Sequence, residues 1–197
     1  MTYELILPLM MFALVSSITP GPNNLMLLAS GANFGFRRTL PHMLGISLGF
    51  AFMVFLVGLG LAQVFELYPV LKLALKVLAV AYMVYLAWKI ANAAAPKAAA
   101  EAGKPFTFLQ AAAFQWVNPK AWAMALTAVT IYAPSQEFTV IAVVAAVFAA
   151  VNLPSVTLWA VLGQQAQRIL TNQRRLRVFN VTMALLLVAS LYSVLVF

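Results

Sequence analysis

Six stretches of this chain are long and apolar enough to cross a bilayer, and that pattern excludes most other folds. A spanning helix needs roughly 20 apolar residues at a rise of about 1.5 Å each. The stretches cover about Leu5–Ala32, Met43–Val64, Val70–Ile90, Phe108–Tyr132, Thr139–Gly163 and Val178–Phe197. Of the 197 residues, 64% are hydrophobic and 8% charged. A soluble domain is roughly half apolar and a quarter charged. A soluble fold of this length has too little interior to hide so much apolar surface. The expectation is an all-α membrane protein with six transmembrane helices. No basic leader precedes the first stretch, which is read as the first span itself.

The net charge of +8 does not point to nucleic acid, because the basic residues form no face or stripe. They sit in short clusters between apolar runs and report topology instead. Arg37 and Arg38 lie in the first connection, Lys89, Lys97 and Lys104 in or beside the third, and Arg168, Arg174, Arg175 and Arg177 in the fifth. The N-terminus and the fourth connection carry only Glu4 and Glu137; the second mixes Glu66 with Lys72 and Lys76. This bias makes the odd-numbered connections cytoplasmic and puts both termini outside. The connection Ala91–Thr107 divides the chain into residues 1–90 and 108–197. Each half holds three spans, so the halves are expected to be inverted repeats.

Proline breaks the first span of each half. Ser17-Ile18-Thr19-Pro20-Gly21-Pro22-Asn23-Asn24 interrupts the first, and Gln115-Trp116-Val117-Asn118-Pro119-Lys120 the fourth. Proline removes a backbone donor and displaces the carbonyl four residues back. Carbonyls near Ser16, Ile18 and Gln115 are therefore expected to be freed. A lone proline can be a simple kink. Matched breaks in two inverted halves instead mark a transporter site, since irregular backbone at membrane depth survives only against protein or a wet cavity. Half-helices starting at Pro22 and Pro119 present N–H groups that suit a carboxylate, and freed carbonyls suit an ammonium. Together they describe a zwitterion such as an amino acid.

Lys120 is the one charge beside a break, at a depth where charge is expensive. It is expected to act as carboxylate partner, proton carrier, or both. Lys76 is a second coupling candidate, deeper in its span than Lys72, which is expected to snorkel. Asn152 and Ser155, flanking Pro154, either line the cavity or bond a neighbouring helix. Gly45-Ile46-Ser47-Leu48-Gly49 is a small-xxx-small motif, expected to pack helices. Tyr82 and Tyr85 are expected to pack, and His42 to lie at the cytoplasmic edge beside Arg37 and Arg38. With no Cys, no Asp and one His, the chain offers no set of metal ligands and no catalytic dyad, so neither an enzyme nor a bound cofactor is expected. The four glutamates, Glu4, Glu66, Glu101 and Glu137, all fall at interfaces or in connections, which leaves no membrane carboxylate to carry a proton.

These residues resemble the LysE/RhtB family of bacterial amino-acid exporters. The resemblance rests on Thr19-Pro20-Gly21-Pro22-Asn23-Asn24, Gly35-Phe36-Arg37, Gly45, Gly49, Gln115, Asn118-Pro119-Lys120, and the third-span run from Lys76 to Tyr82 with Tyr85, Leu86 and Trp88-Lys89. It covers nearly the whole chain and is closest in look to the cysteine and O-acetylserine exporter branch. It implies export of small neutral amino acids or derivatives, homoserine and threonine included, across the bacterial inner membrane, driven by the proton gradient. The substrate-binding set expected from the residues is Thr19, Pro20, Gly21, Pro22, Asn23, Asn24, Gln115, Asn118, Pro119, Lys120 and Asn152. Lipid and a small-molecule substrate are the expected partners, nucleic acid is not, and the reading allows a homodimer. The competing reading is a non-transporting membrane scaffold or assembly protein, which would need no lysine beside a mid-membrane break.

Overall fold

In a bilayer an apolar run must satisfy its backbone internally, and a helix does so within one segment. The structure, a computed structural model, describes residues 3–93 and 104–192, without the side chains of Tyr3, Phe65, Glu66, Pro69 and Lys72. The readings on Lys97, Glu101, the Glu66 and Lys72 side chains and the last residues of the sixth stretch lie outside it. The described residues form α1 (Tyr3–Ile18), α2 (Pro22–Phe34), α3 (Phe36–Leu56), α4 (Ala62–Leu67), α5 (Pro69–Ala91), α6 (Phe108–Phe114), α7 (Pro119–Tyr132), α8 (Phe138–Ala166) and α9 (Gln173–Ala189). A wide π-type turn, Val57–Leu61, joins α3 to α4, and a tight 3₁₀ turn, Gln115–Val117, follows α6.

Three continuous helical segments, Phe36–Val64, Leu73–Ala91 and Phe138–Ala166, are long and apolar enough to cross a membrane. The pair α1 and α2, bent by 55° at its break, makes a fourth when counted as one broken span. Phe108–Tyr132 is divided into α6 and α7, and α9 is helical over 17 residues. The surface fits a bilayer. Leu7, Met10, Met11 and Leu14 on α1, Leu73, Val77, Leu78 and Val84 on α5, and Leu185 and Leu186 on α9 are all exposed. Such broad apolar faces are rare on a monomer in water.

Not every proline breaks its helix. Pro8, Pro41 and Pro154 lie inside α1, α3 and α8. The apolar stretches break at Pro20-Gly21-Pro22 and at Asn118-Pro119. A lone proline forfeits one backbone bond, whereas Pro20 and Pro22 remove two donors within three residues. At the second break the Asn118 side chain accepts the Lys120 N–H, an N-cap that restarts the chain as a new helix with Pro119 in its first turn.

The second span begins earlier than expected. Gly35 alone separates α2 from α3, at φ 79°, a conformation that favours glycine. Arg37 and Arg38, read as a connection, are the first turn of α3.

The two halves interlock. α8 lies against α1, α2 and α3, α3 against α6, and α5 against α9. Glycines allow the closest crossings. A Cβ at Gly31 would stand 2.2 Å from Ala160 O on α8, and one at Gly163 would stand 2.2 Å from Leu28 O on α2. Gly45 and Gly49 face Phe108, Ala111 and Ala112 of α6 with the same closeness, so their small-residue motif packs helices. Leu9, Ala13, Phe50, Met53, Ala125, Val144 and Phe148 fill the core between α1, α3, α7 and α8. Met26, Met83, Leu86, Phe114, Ala184 and Leu187 fill a second core between α2, α5, α6 and α9. Tyr82 packs between Phe114 and Tyr85, with ring centroids at 5.8 and 6.1 Å.

Candidate functional site

The two breaks face each other, with Ser17, Asn24, Gln115 and Asn118 buried and Ile18, Thr19 and Pro20 exposed. The last carbonyls of α1 have lost their helical donors and need others. Ser16 O accepts from Thr19 Oγ1 at 3.0 Å, and Ile18 O from Trp159 Nε1 of α8 at 3.0 Å. Asn24 Nδ2 donates to both Ser17 O and Thr19 O at 2.8 Å. Gln115 O accepts the Asn118 N–H at 3.3 Å. The carbonyls expected to be free at Ser16, Ile18 and Gln115 are thus each taken by the protein. Turn geometry and a tryptophan on another helix supply those donors, and the sequence around the break does not reveal the second.

The acceptors that hold a cation are on the next two residues, Thr19 and Pro20. Lys120 Nζ, from the second break, donates to Thr19 O at 2.7 Å, Thr19 Oγ1 at 2.9 Å and Pro20 O at 3.3 Å. Its half-buried stem passes over Gly21, where a Cβ would stand 2.7 Å from Lys120 Cδ. Gly21 is extended (φ −176°), so the reason for glycine here is this close approach. Lys120 therefore meets carbonyl oxygens in this conformation, where a carboxylate partner was one of its expected roles.

A second link joins the breaks. Asn23 Nδ2 donates to Gln115 Oε1 at 2.8 Å, and Gln115 Nε2 donates back to Asn23 Oδ1 at 3.1 Å and to Ala111 O at 2.9 Å. Gln115 is fully buried, so its amide depends on these partners. Behind them, Asn152 Nδ2 donates to Ser17 Oγ at 3.2 Å, and Ser47 Oγ donates to Asn152 Oδ1 at 3.0 Å. Asn152 thus both lines the cavity and bonds two neighbouring helices. Ser155 turns back to its own helix, donating to Val151 O. Ser47 and Ser17 were not expected in the site. Ser47 was concealed inside the packing motif, and only the crossing of α3 and α8 brings it to Asn152.

A small cavity of about 20 Å³ lies between these groups. Ser17, Gly21, Asn23, Asn24, Asn118, Lys120 and Asn152 line it, over an apolar floor of Phe50, Met124 and Val156. That volume admits about one water. Pro22 and Pro119 shape its edges as first residues of α2 and α7. Lys76 stands half-buried on α5, which packs on α9, and lines neither this cavity nor the larger one described below. Among the described residues no three His, Cys, Asp or Glu side chains gather to hold a metal.

His42, expected at the cytoplasmic edge beside Arg37 and Arg38, has a buried side chain. It is 2% exposed, and neither ring nitrogen has a hydrogen-bond partner among the described residues. Its ring meets the edge of Phe106 at 5.1 Å. Because α3 begins seven residues before the expected start of its span, position 42 lies inside the bundle.

Apolar helices around paired breaks that share a polar cluster define a helical membrane protein with a polar site in its core. The chain belongs to the LysE type translocator family, which matches residues 14–190. Similar relatives include the cysteine/O-acetylserine efflux proteins of Escherichia coli K12, Escherichia coli O9:H4 strain HS and Shigella sonnei strain Ss046. Each is 32% identical over 193 residues, covering 95% of this chain and 96% of the relative. No solved structure matches.

Proposed function

We propose that this protein is a secondary transporter that exports small neutral amino acids or their derivatives across the bacterial inner membrane, using the proton gradient. The cysteine/O-acetylserine efflux relatives support the substrate class and make those two compounds the first to try, with homoserine and threonine after them. In this reading the four apolar spans are joined by the broken segment Phe108–Tyr132 and by α9. That makes six spans in two inverted halves, residues 1–90 and 108–197, with the odd-numbered connections cytoplasmic and both termini outside. Lipid covers the exposed apolar faces.

One observation carries the mechanism: Lys120 Nζ occupies a three-acceptor cradle at Thr19 and Pro20. An α-ammonium is the same chemical group as a protonated lysine. The substrate can therefore take the cradle only when Lys120 leaves it or gives up its proton. Mutual exclusion between a lysine proton and a substrate ammonium is the logic of antiport, and it needs no membrane carboxylate. The substrate carboxylate goes to the N-terminal N–H groups of α2, beside Asn23 and Asn24. The cavity of about 20 Å³ is far too small for an amino acid, which is several waters in size at roughly 30 Å³ each. In this reading the two breaks part for the substrate to bind. The Asn23–Gln115 pair holds them together.

The test is export from proteoliposomes against an amino-acid panel, with and without a pH gradient. Wild-type protein should export O-acetylserine or cysteine faster with the gradient, and Lys120→Ala should lose that acceleration. Failure of the wild type to export any amino acid would sink the function. Gradient-driven export by Lys120→Ala at the wild-type rate would sink the role of the lysine.

A further inference from the structure

A second cavity, of about 280 Å³, lies at the end of the bundle that carries Lys89 and Lys104. It is an order of magnitude larger than the one between the breaks. Met26, Ala29, Leu86, Ile90 and Phe106 give it apolar walls, and its polar groups come from Ser30, Asn33, His42, Lys89, Asn92 and Lys104.

Most of that polar chemistry is already engaged. Ser30 Oγ shares a hydrogen bond with Thr39 Oγ1 at 2.9 Å. Asn33 Nδ2 donates to Ala29 O and to Asn180 Oδ1, and Asn92 Nδ2 to Trp88 O. His42 differs. It is 2% exposed, lines the cavity, and leaves both Nδ1 and Nε2 without a hydrogen-bond partner among the described residues. A neutral imidazole has one N–H donor and one bare acceptor nitrogen. Leaving both unpaired is costly, and such orphans mark places where an ordered water or another group supplies the partner.

The surroundings indicate the charge of that partner. Lys89 Nζ lies 5.5 Å from the Phe106 ring centroid, and the edge of the same ring meets His42. Lys104 lines the cavity too, and no carboxylate is among the described lining residues. Two cations and an imidazole donor, against apolar walls, match a small amphiphile with one carboxylate. Its amine, hydroxyl or thiol can donate to the bare imidazole nitrogen.

We infer that this cavity is a second binding site for the transported amino acid, a loading site on the cytoplasmic side that takes the carboxylate at His42 and the lysines before the breaks part. The inference rests on the export reading above and extends it from one site to two. The two sites are chemically complementary: the cradle at Thr19 takes an ammonium, and this cavity takes a carboxylate.

His42 is the chain's only histidine, so one labelled imidazole reports on the cavity alone. The experiment uses the full chain, labelled in its histidine ring, in nanodiscs of phosphatidylcholine. O-acetylserine should move the imidazole resonance along a saturable curve, in wild-type and in Lys120→Ala protein alike. The methyl ester of O-acetylserine, which lacks the carboxylate, should not move it. In proteoliposomes loaded on the Arg37 side, His42→Leu should raise the half-saturating O-acetylserine concentration by ~10-fold with the maximal rate kept, and His42→Gln by less, because an amide still donates. A resonance unmoved by O-acetylserine, or moved equally by the ester, would overturn the inference. So would one that follows added phosphatidylglycerol instead, which would make the ligand a lipid headgroup. Export by the same preparation is measured in parallel. If export is intact and the imidazole silent, only the loading site fails; if export is absent, the transport reading fails with it.

Discussion

Replacing Gly21 by alanine perturbs the lysine cradle without touching the lysine. The new Cβ would stand 2.7 Å from Lys120 Cδ and 3.2 Å from Nζ. Carbon atoms prefer about 3.5–4.0 Å, so the stem must retreat by roughly 1 Å. The backbone offers no objection, because an extended Gly21 is a conformation alanine also adopts. The cradle bonds now measure 2.7, 2.9 and 3.3 Å. A retreat that takes Nζ with it carries the 2.7 and 2.9 Å bonds beyond the range of about 2.7–3.2 Å in which N–H···O bonds are effective, and the 3.3 Å contact already lies at its edge. A hydrogen bond to a charged group contributes about 1.5–3 kcal/mol net, and the lower figure suits a half-exposed lysine. A loss of ~1.5 kcal/mol loosens the lysine's hold on the cradle ~10-fold, so proton and substrate no longer exclude each other and the gradient stops accelerating export. The assay is O-acetylserine export from proteoliposomes, with thermal stability in detergent as the check on folding. Gly21→Ala added to Lys120→Ala should change nothing further, since residues acting through one contact are not additive. A Gly21→Ala protein that folds normally and exports within twofold of wild type would refute the cradle.

The remaining expectations concern the frame around that contact. Gly163→Ala places a Cβ 2.2 Å from the Leu28 carbonyl, so α2 and α8 must separate; overpacking of this kind costs about 1–3 kcal/mol, read as a lowered melting temperature in detergent, and an unchanged melt would contradict the crossing. Asn23→Ala and Gln115→Ala should each lower that melting temperature, and the double variant should lose less than their sum, with a coupling of about 1 kcal/mol; strict additivity would mean the pair does not bridge the breaks. The chain has no cysteine, so single replacements report topology cleanly: Ser135→Cys should label from outside the cell and Lys104→Cys only after permeabilisation. Labelling of both from one side would disprove the inverted arrangement.

Much of the fold was legible because helix and bilayer obey local rules. Runs such as Thr139–Gly163 announce spans by length and composition alone. The breaks were legible for the same reason: Pro20 and Pro22 forbid helical bonds whatever surrounds them. Boundaries were less so. Nothing in Gly35-Phe36-Arg37-Arg38 shows that one glycine suffices to turn the chain and that the arginines already belong to a helix. The burial of His42 was missed as a consequence. Lys120 was found, but its partner was not, because carbonyl oxygens carry no signature in a sequence.

By itself the sequence determined that this chain is a helical membrane protein, where two of its apolar stretches break, and which side chains stand beside the breaks. These follow from hydropathy and from proline's missing donor, both properties of neighbours along the chain. Only the tertiary structure decided that Lys120 and Thr19, 101 residues apart, are partners, that Asn23 and Gln115 bridge 92 residues, and that His42 faces a cavity. Those contacts depend on how α1, α2, α3, α7 and α8 pack. Packing is set by side-chain shape and by the glycines at the crossings, and it joins residues that no periodicity relates.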